Sequence, residues 1–418
     1  MYKKVVLNNG VRIVLERMSA IKSVAMGIWA HVGSRYEVHG QEGFSHFAEH
    51  MMFKGTRRRT ASQISHEIDA LGGEMNAFTT HEATSFYAKV LDQGAVPALD
   101  LLTDLFHCSR FMPKEIEKEK QVILEEIRTT KDDPEDYIHE LHAKDVLGNH
   151  PIGKSILGEP RHLRGLRRKD LIRFIQTHYR PEKTVIAVAG QFHAQKMIDL
   201  LQHHFGTWAK PQSPSEPANV VSWPSHIAGG RFLHVKKLEQ VHVCLGFKGL
   251  PIGHPDRYVA NVLNTILGGG VSSRLFQDVR EKRGLAYTIY SHLSGFSDGG
   301  LLTVYVATKP AEVKGVIEIV SREIRKLCTH SVQTKELERT KTQLKGNLML
   351  GLEGTYGRMA KLAKDELYQG RHISLREMVK EIDRVSVDRI QALSRRLFDF
   401  DSLTVSVLGR VDPKMVSV

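Results

Sequence analysis

Residues 46–50 read HFAEH, two histidines and a glutamate on five positions inside QEGFSHFAEHMMFKGT. The period around them is helical: Phe44, Phe47, Ala48 and Met51 share one side, His46, Glu49 and His50 project from the other, and Lys54-Gly55 supplies a stop. Imidazoles at i and i+4 lie one turn apart and can each direct a ring nitrogen at one cation, as in a reversed HExxH arrangement. Glu49 then sits beside the cation without having to bind it. There it can take a proton from a metal-bound water, the general-base role in metal-assisted hydrolysis. The bland alternative is the wet side of a short helix.

Two histidines leave a catalytic zinc one protein ligand short, because open sites usually have three. The best donor segment is KEIEKEKQVILEEIRTTKDDPEDY, a charged helical stretch in which Glu119 and Glu126 stand seven residues apart and therefore on one face. Periodicity does not decide which of the two is the ligand and which supports it. His139 and His142 in YIHELH are spaced i,i+3 without comparable support, so they read as a surface feature, and His203-His204 is weaker still.

These side chains need a scaffold, and the chain supplies two of similar plan. At 418 residues and 41% hydrophobic content it can bury a substantial core in two or more domains. Asn8-Asn9-Gly10 between alternating apolar residues predicts an opening hairpin. SVAMGIWAHVG (23–33) and QVHVCLGFKGL (240–250) are both strand-like runs leading into helix-like segments. TSFYAKVLDQGAVPALDLLTDLF from Thr84 is echoed by LLTVYVATKPAEVKGVIEIVSREI from Leu301, 217 positions on, and KEIEKEK from Lys114 by KELERTK from Lys335, 221 positions on. Between the halves, Pro211, Pro214, Pro217 and Pro224 mark a linker. The expected fold is α+β: two homologous domains, 1–207 and 231–418, joined by 208–230, each a mostly antiparallel sheet covered by helices. At these offsets His46, Glu49 and His50 fall on Leu263, Ile266 and Leu267, and Glu126 on Asn347. The polar cluster therefore has a chemical task in the first half only.

The formal charge of +12 raises nucleic acid, membrane surfaces or acidic substrates as partners. Its dense clusters, Arg57-Arg58-Arg59 and GLRRKD near Arg167, lack interleaved aromatics and read as solvated faces, so neither nucleic acid nor membrane is expected. No stretch approaches the roughly 20 apolar residues of a membrane helix, and the start has no apolar run long enough for a signal peptide. Cys108, Cys244 and Cys328 are odd in number and widely spaced, which suits a reducing cytoplasm without disulfides.

HFAEH, followed at 76 residues by Glu126 inside VILEEI, resembles the zinc signature of the inverted metallopeptidases that include pitrilysin, insulysin and mitochondrial processing peptidase. GGEMNAFTTHEATSFY (72–87), HPIGKSILGEP (150–160), LGGGVSSRLF (267–276) and VREKRGLAY (279–287) extend the likeness over nearly the whole chain, closest to the short processing-peptidase-like bacterial members. The resemblance implies one zinc per chain held by His46, His50 and Glu126, Glu49 as base and Glu119 as a supporting acid. It implies an edge strand at Asn76-Ala77-Phe78 that takes an extended peptide. Arg280 and Tyr287 would be the second half's donors to the scissile carbonyl, about two turns apart if that segment is helical. The implied activity is an endopeptidase acting on unfolded or short polypeptides in a closed chamber. Two such domains make half of a clamshell, so a homodimer is the simplest assembly. The rivals are a non-catalytic peptide-binding or assembly subunit of the same fold and, from another class, a basic nucleic-acid-binding protein.

Overall fold

Alternation on either side of Asn8-Asn9-Gly10 makes the opening hairpin. Strands β1 (Tyr2–Val6) and β2 (Arg12–Arg17) pair antiparallel with Val6 opposite Arg12, and Gly10 takes the positive φ of 95° that the turn requires. The computed structural model describes residues 2–209, 220–227 and 229–416. Residues 210–219 and 228 of the proline-rich linker expected at 208–230, Pro211, Pro214 and Pro217 among them, lie outside the described residues.

With β3 (Ser23–Ala30), β4 (Glu74–Thr79), β5 (Thr84–Leu91) and β6 (Thr184–Gly190) the hairpin builds a six-stranded sheet in the order β1-β2-β6-β3-β5-β4. A second sheet holds β7 (Gly230–His234), β8 (Val241–Lys248), β9 (Ala286–Gly295), β10 (Gly300–Thr308) and β11 (Thr404–Leu408) in the order β7-β11-β8-β10-β9. Only β2–β6 and β7–β11 are parallel pairs. Strands β2, β6, β3, β5 and β4 thus have their counterparts, in order and sense, in β7, β11, β8, β10 and β9, as the internal echoes predict.

The first half of the chain contributes helices α1 (Phe44–Met52), α2 (Ala61–Ala70), α3 (Ala95–Cys108), α4 (Pro113–Asp132), α5 (Pro134–Leu147), α6 (Pro160–Gly165), α7 (Arg168–His178) and α8 (Ala194–Phe205). The second contributes α9 (Arg257–Leu267), α10 (Val313–Thr329), α11 (Thr334–Gly351), α12 (Thr355–Gln369), α13 (Leu375–Asp383) and α14 (Val387–Leu397). Among the described residues no helix is long and apolar enough to cross a membrane.

Two compact units result, and one cut in the chain does not separate them. The first gathers Met1–Thr129, Lys154–Val220 and Leu350–His372; the second gathers Thr130–Gly153, Val221–Met349 and Ile373–Val418. Each unit therefore receives one helix from the opposite half of the sequence, α12 in the first and α5 in the second. A cut at 208–230 would leave both helices on the other side from the sheet they cover. Periodicity shows that a helix has an apolar face, but not which sheet that face meets.

In the first unit one face of β3 and β5, with Met26, Ile28, Phe86 and Ala88, packs with Phe47 and Met51 of α1 and Leu99 of α3. The other face of the sheet, with Val14 of β2, Ala25 and Trp29 of β3 and Val185 of β6, packs on Met359 and Leu362 of α12. Covered on both sides, β3 reads as a continuous apolar run rather than an alternating one. Gly27 makes room for this helix, since a Cβ there would lie 2.7 Å from Met359 Sδ. In the second unit Val243, Leu245, Val304 and Val306 meet α9 and α10, while α5 covers the opposite face.

Candidate metal centre

Helix α1 begins on Gly43, which has a φ of 95° and no side chain to cap the first turn. Buried Glu37 supplies the missing cap: its Oε2 accepts from the Gly43 N–H at 2.8 Å and its Oε1 from the Ser45 N–H at 2.7 Å. Burial pushes the Glu37 carboxyl up to about 7 against these two bonds. The HPIGKSILGEP stretch locks the same turn from outside. A Cβ at Gly158 would lie 2.2 Å from Glu42 O, so only glycine lets the two chains approach.

The polar side of α1 is not wet. Phe47 and Met51 are fully buried on one side, but His46 and Glu49 are only 7% and 8% exposed on the other. The Nε2 atoms of His46 and His50 stand 3.1 Å apart, and each lies 3.7 Å from Glu126 Oε2. Among the described residues these three form the one group of His, Cys, Asp and Glu disposed to hold a metal ion. Two nitrogens at about 2.0–2.1 Å from one tetrahedral zinc would be about 3.3 Å apart, close to the spacing found. Glu126 Oε2 is buried and has no hydrogen-bond partner, as an oxygen reserved for a cation would be. The residues fit the ion.

Geometry separates the two glutamates of α4. Glu119, buried, turns Oε1 to His50 Nδ1 at 2.8 Å and Oε2 to Lys54 Nζ at 2.8 Å. A carboxylate can only accept, so His50 carries its proton on Nδ1 and leaves the Nε2 lone pair for the cation. Glu49 points elsewhere: its Oε2 accepts from Thr79 Oγ1 at 2.6 Å. Thr79 is the last residue of β4, the open edge of the sheet, which carries Asn76, Ala77 and Phe78.

Burial, with His50 alongside, lowers His46 to about 3 and keeps its imidazole neutral, the form that binds a metal. Burial would lower His50 too, but its bond to Glu119 and the charges of Glu126 and Glu49 outweigh it and leave it raised. Burial raises Glu49 despite the Thr79 bond, and raises Glu126. For Glu119 the bonds from His50 and Lys54 overcome burial and hold the carboxyl below its ordinary value.

Residues 12–160 match the family described as insulinase (peptidase family M16), and residues 165–344 the one described as peptidase M16 inactive domain. The chain belongs to peptidase family M16. An uncharacterized zinc protease of Bacillus subtilis is 41% identical over 96% of this chain and 97% of its own length. Another, of Streptomyces coelicolor, is 39% identical over 99% of this chain and 91% of its own. Two solved structures share the fold: a protease from Helicobacter pylori, with a TM-score of 0.91 at 22% identity over 98% of this chain and 99% of that one, and a peptidase M16 inactive domain from Pseudomonas fluorescens, with a TM-score of 0.90 at 18% identity over 98% of each.

In the half matching the M16 inactive domain, Leu263, Ile266 and Leu267 are buried in α9. The stretch from Arg280 to Tyr287 is not one helix, so the two are not set two helical turns apart. Arg280 sits in a π-helical turn, Phe276–Glu281, and Tyr287 is the second residue of β9. The Arg280 guanidinium lies over the Tyr287 ring at 4.4 Å, and Tyr287 is 74% exposed.

Two other expectations fail. His142 is not on the surface: it is buried, bonds Ser406 Oγ through Nδ1 at 2.9 Å, and lies over Gly246, where a Cβ would be 2.3 Å from its Nε2. Arg59 is no solvated charge, since it bonds Glu67, Asp100 and Asp104 at 2.8–2.9 Å. Sequence reasoning also missed Glu37, Lys54 and Thr79. A glycine at the start of a ligand-bearing helix was the available signal for a remote cap, and Thr79 directly follows the edge-strand residues.

Proposed function

We propose that this M16 chain is a zinc-dependent endopeptidase that hydrolyses unfolded or short polypeptides. One observation carries the reading: the His46, His50 and Glu126 ligand atoms converge beside a carboxylate, Glu49, that hydrogen-bonds the end of an open edge strand. The names of the relatives favour zinc; one ion per chain, with His46, His50 and Glu126 as its ligands, is what the resemblance implies. When bound, zinc would polarise a peptide carbonyl and acidify a water.

The chain's own residues do the rest. Glu119 holds the His50 ring, and Glu37 fixes the start of α1. A peptide laid along β4 uses the main-chain groups that this strand leaves unpaired on its outer side, at Asn76, Ala77 and Phe78. Glu49 takes the proton of the attacking water and delivers it to the leaving nitrogen. Arg280 and Tyr287 are donors to the substrate carbonyl, as the resemblance implies, and a homodimer closes the chamber that restricts substrates by size.

The test is cleavage of a quenched peptide by wild type and Glu49→Gln, each assayed for bound zinc. The variant should keep its metal while kcat falls by about 10²–10⁴, the range for loss of a general base. Unchanged turnover with full metal would refute the assignment.

A further inference from the structure

The carboxylate of Glu49 lies on a helix, and the strand expected to receive substrate lies at the edge of a sheet; a single hydroxyl joins them. Thr79 Oγ1 donates to Glu49 Oε2 at 2.6 Å, the short distance of a charge-assisted bond. The donor is committed by its surroundings. Thr79 stands opposite Thr84 across the β4–β5 pair, with the two hydroxyl oxygens 3.4 Å apart, and the Thr84 hydroxyl donates to Val32 O at 2.9 Å. The Thr79 proton therefore belongs to Glu49.

The backbone behind it is fixed as well. The turn after Thr79 closes with Thr80 N–H on Ala83 O at 2.8 Å, and the Arg35 N–H bonds His81 O at 2.8 Å. A Cβ on Gly33 would lie 2.2 Å from Thr80 O, so that segment and the turn are in close contact. The β-branched side chain of Thr79 adds a restricted χ1. Side chains alternate along a strand, so Ala77 and Thr79 share a face and the smaller residue precedes the hydroxyl.

We propose that Thr79 is a positioning residue for the base: its hydroxyl holds the Glu49 carboxylate in the orientation for proton transfer and ties that orientation to the strand on which the peptide adds. Glu49 has three side-chain torsions of its own, and without this bond it would leave the productive rotamer for much of the time. The inference rests on the peptidase reading and on Glu49 as base, and adds a residue with no part in metal binding.

The experiment compares wild type, Thr79→Val and Thr79→Ser by steady-state cleavage of one quenched peptide and by zinc content per chain. Affinity of the metal-free proteins for a fluorescent peptide is measured by anisotropy. Thr79→Val keeps the branched shape and removes only the donor. Its kcat should fall about 10- to 100-fold, the scale of a small misplacement of a reacting group, with KM within about 2-fold. Zinc content and peptide Kd should stay at wild-type values, and Thr79→Ser should recover most of kcat. Wild-type kcat in Thr79→Val would overturn the inference and leave the peptidase reading intact. Zinc loss in Thr79→Val, or no recovery in Thr79→Ser, would also overturn it, since Thr79 would then act as structural packing. A zinc-loaded wild type that cleaves no peptide would overturn the peptidase reading, and this inference with it.

Discussion

Helices α1 and α9 follow equivalent strands in sheets of the same order and sense, yet one exposes a chemistry that the other has filled in. Where α1 has His46, Glu49 and His50, α9 has Leu263, Ile266 and Leu267, none more than 2% exposed. Where α4 has Glu119 and Glu126, α11 has Thr340, whose hydroxyl turns back on Glu336 O, and exposed Asn347. Packing alone is satisfied by the version in α9. Three polar groups in the other helix cost burial energy unless they are paired, and the surrounding structure pairs two of them, with Glu119, itself held by Lys54, for His50 and Thr79 for Glu49, while His46 Nδ1 is buried without a hydrogen-bond partner. Polar residues at positions where a duplicate of the same fold prefers leucine point to a task other than stability.

That contrast can be broken most severely from the active side. His50→Ala removes one of three ligands, so bound zinc should be lost on gel filtration and peptide cleavage should drop to background; full metal retention would show that the ligand set is wrong. Leu263→Ala strikes the equivalent place in the silent helix, and there the loss should be structural. Urea unfolding should show about 2–5 kcal/mol less stability, the cost of a large-to-small change in a sealed core, with zinc per folded chain unchanged. Glu119→Gln leaves the ligands but weakens the hold on His50 and Lys54. Zinc affinity, titrated against a chelating dye, should fall about 10- to 100-fold, as for other partners of metal-bound histidines. The mildest change, Asn347→Glu, restores an acid at the α11 position matching Glu126. Stability should move by no more than about 0.5 kcal/mol, as for an exposed site, and zinc analysis should find no second ion, because α9 offers it no histidines.

Much of this was readable in the residues. The hairpin around Asn8-Asn9-Gly10, the paired strand-helix segments from Thr84 and Leu301, and the helical face joining His46, Glu49 and His50 all follow from periods of 2 and 3.6, which local sequence records directly. Glu119 and Glu126 could be put on one face but not told apart, since spacing does not say which carboxylate meets which imidazole nitrogen. The position of β4 at a sheet edge came from resemblance, and the sheet order bears it out. What escaped depends on distant segments. His139 and His142 look like solvent-facing histidines because their covering partner, the outer face of β8 to β11, lies about a hundred residues or more away in sequence. A π-helical turn that runs through a short loop into strand β9 gives no periodic signal, so the Arg280 and Tyr287 stacking was invisible. Thr79 was hidden by its ordinariness, a threonine in a strand.

The exchanged helices carry a consequence for how the protein is made. Trp29 Nε1 meets Met359 Sδ at 3.4 Å across 330 positions of chain. At about 5–20 residues per second, a ribosome needs on the order of tens of seconds to span that distance. For that interval the nascent sheet has its ligand helix but not its outer cover, and Val14, Trp29 and Val185 remain open to other chains. Translation must pass α12 before the first sheet is sealed on both faces. A product released after α11 would carry every one of His46, Glu49, His50 and Glu126 on a body with one bare side, which makes it a client for chaperones before it could be an enzyme.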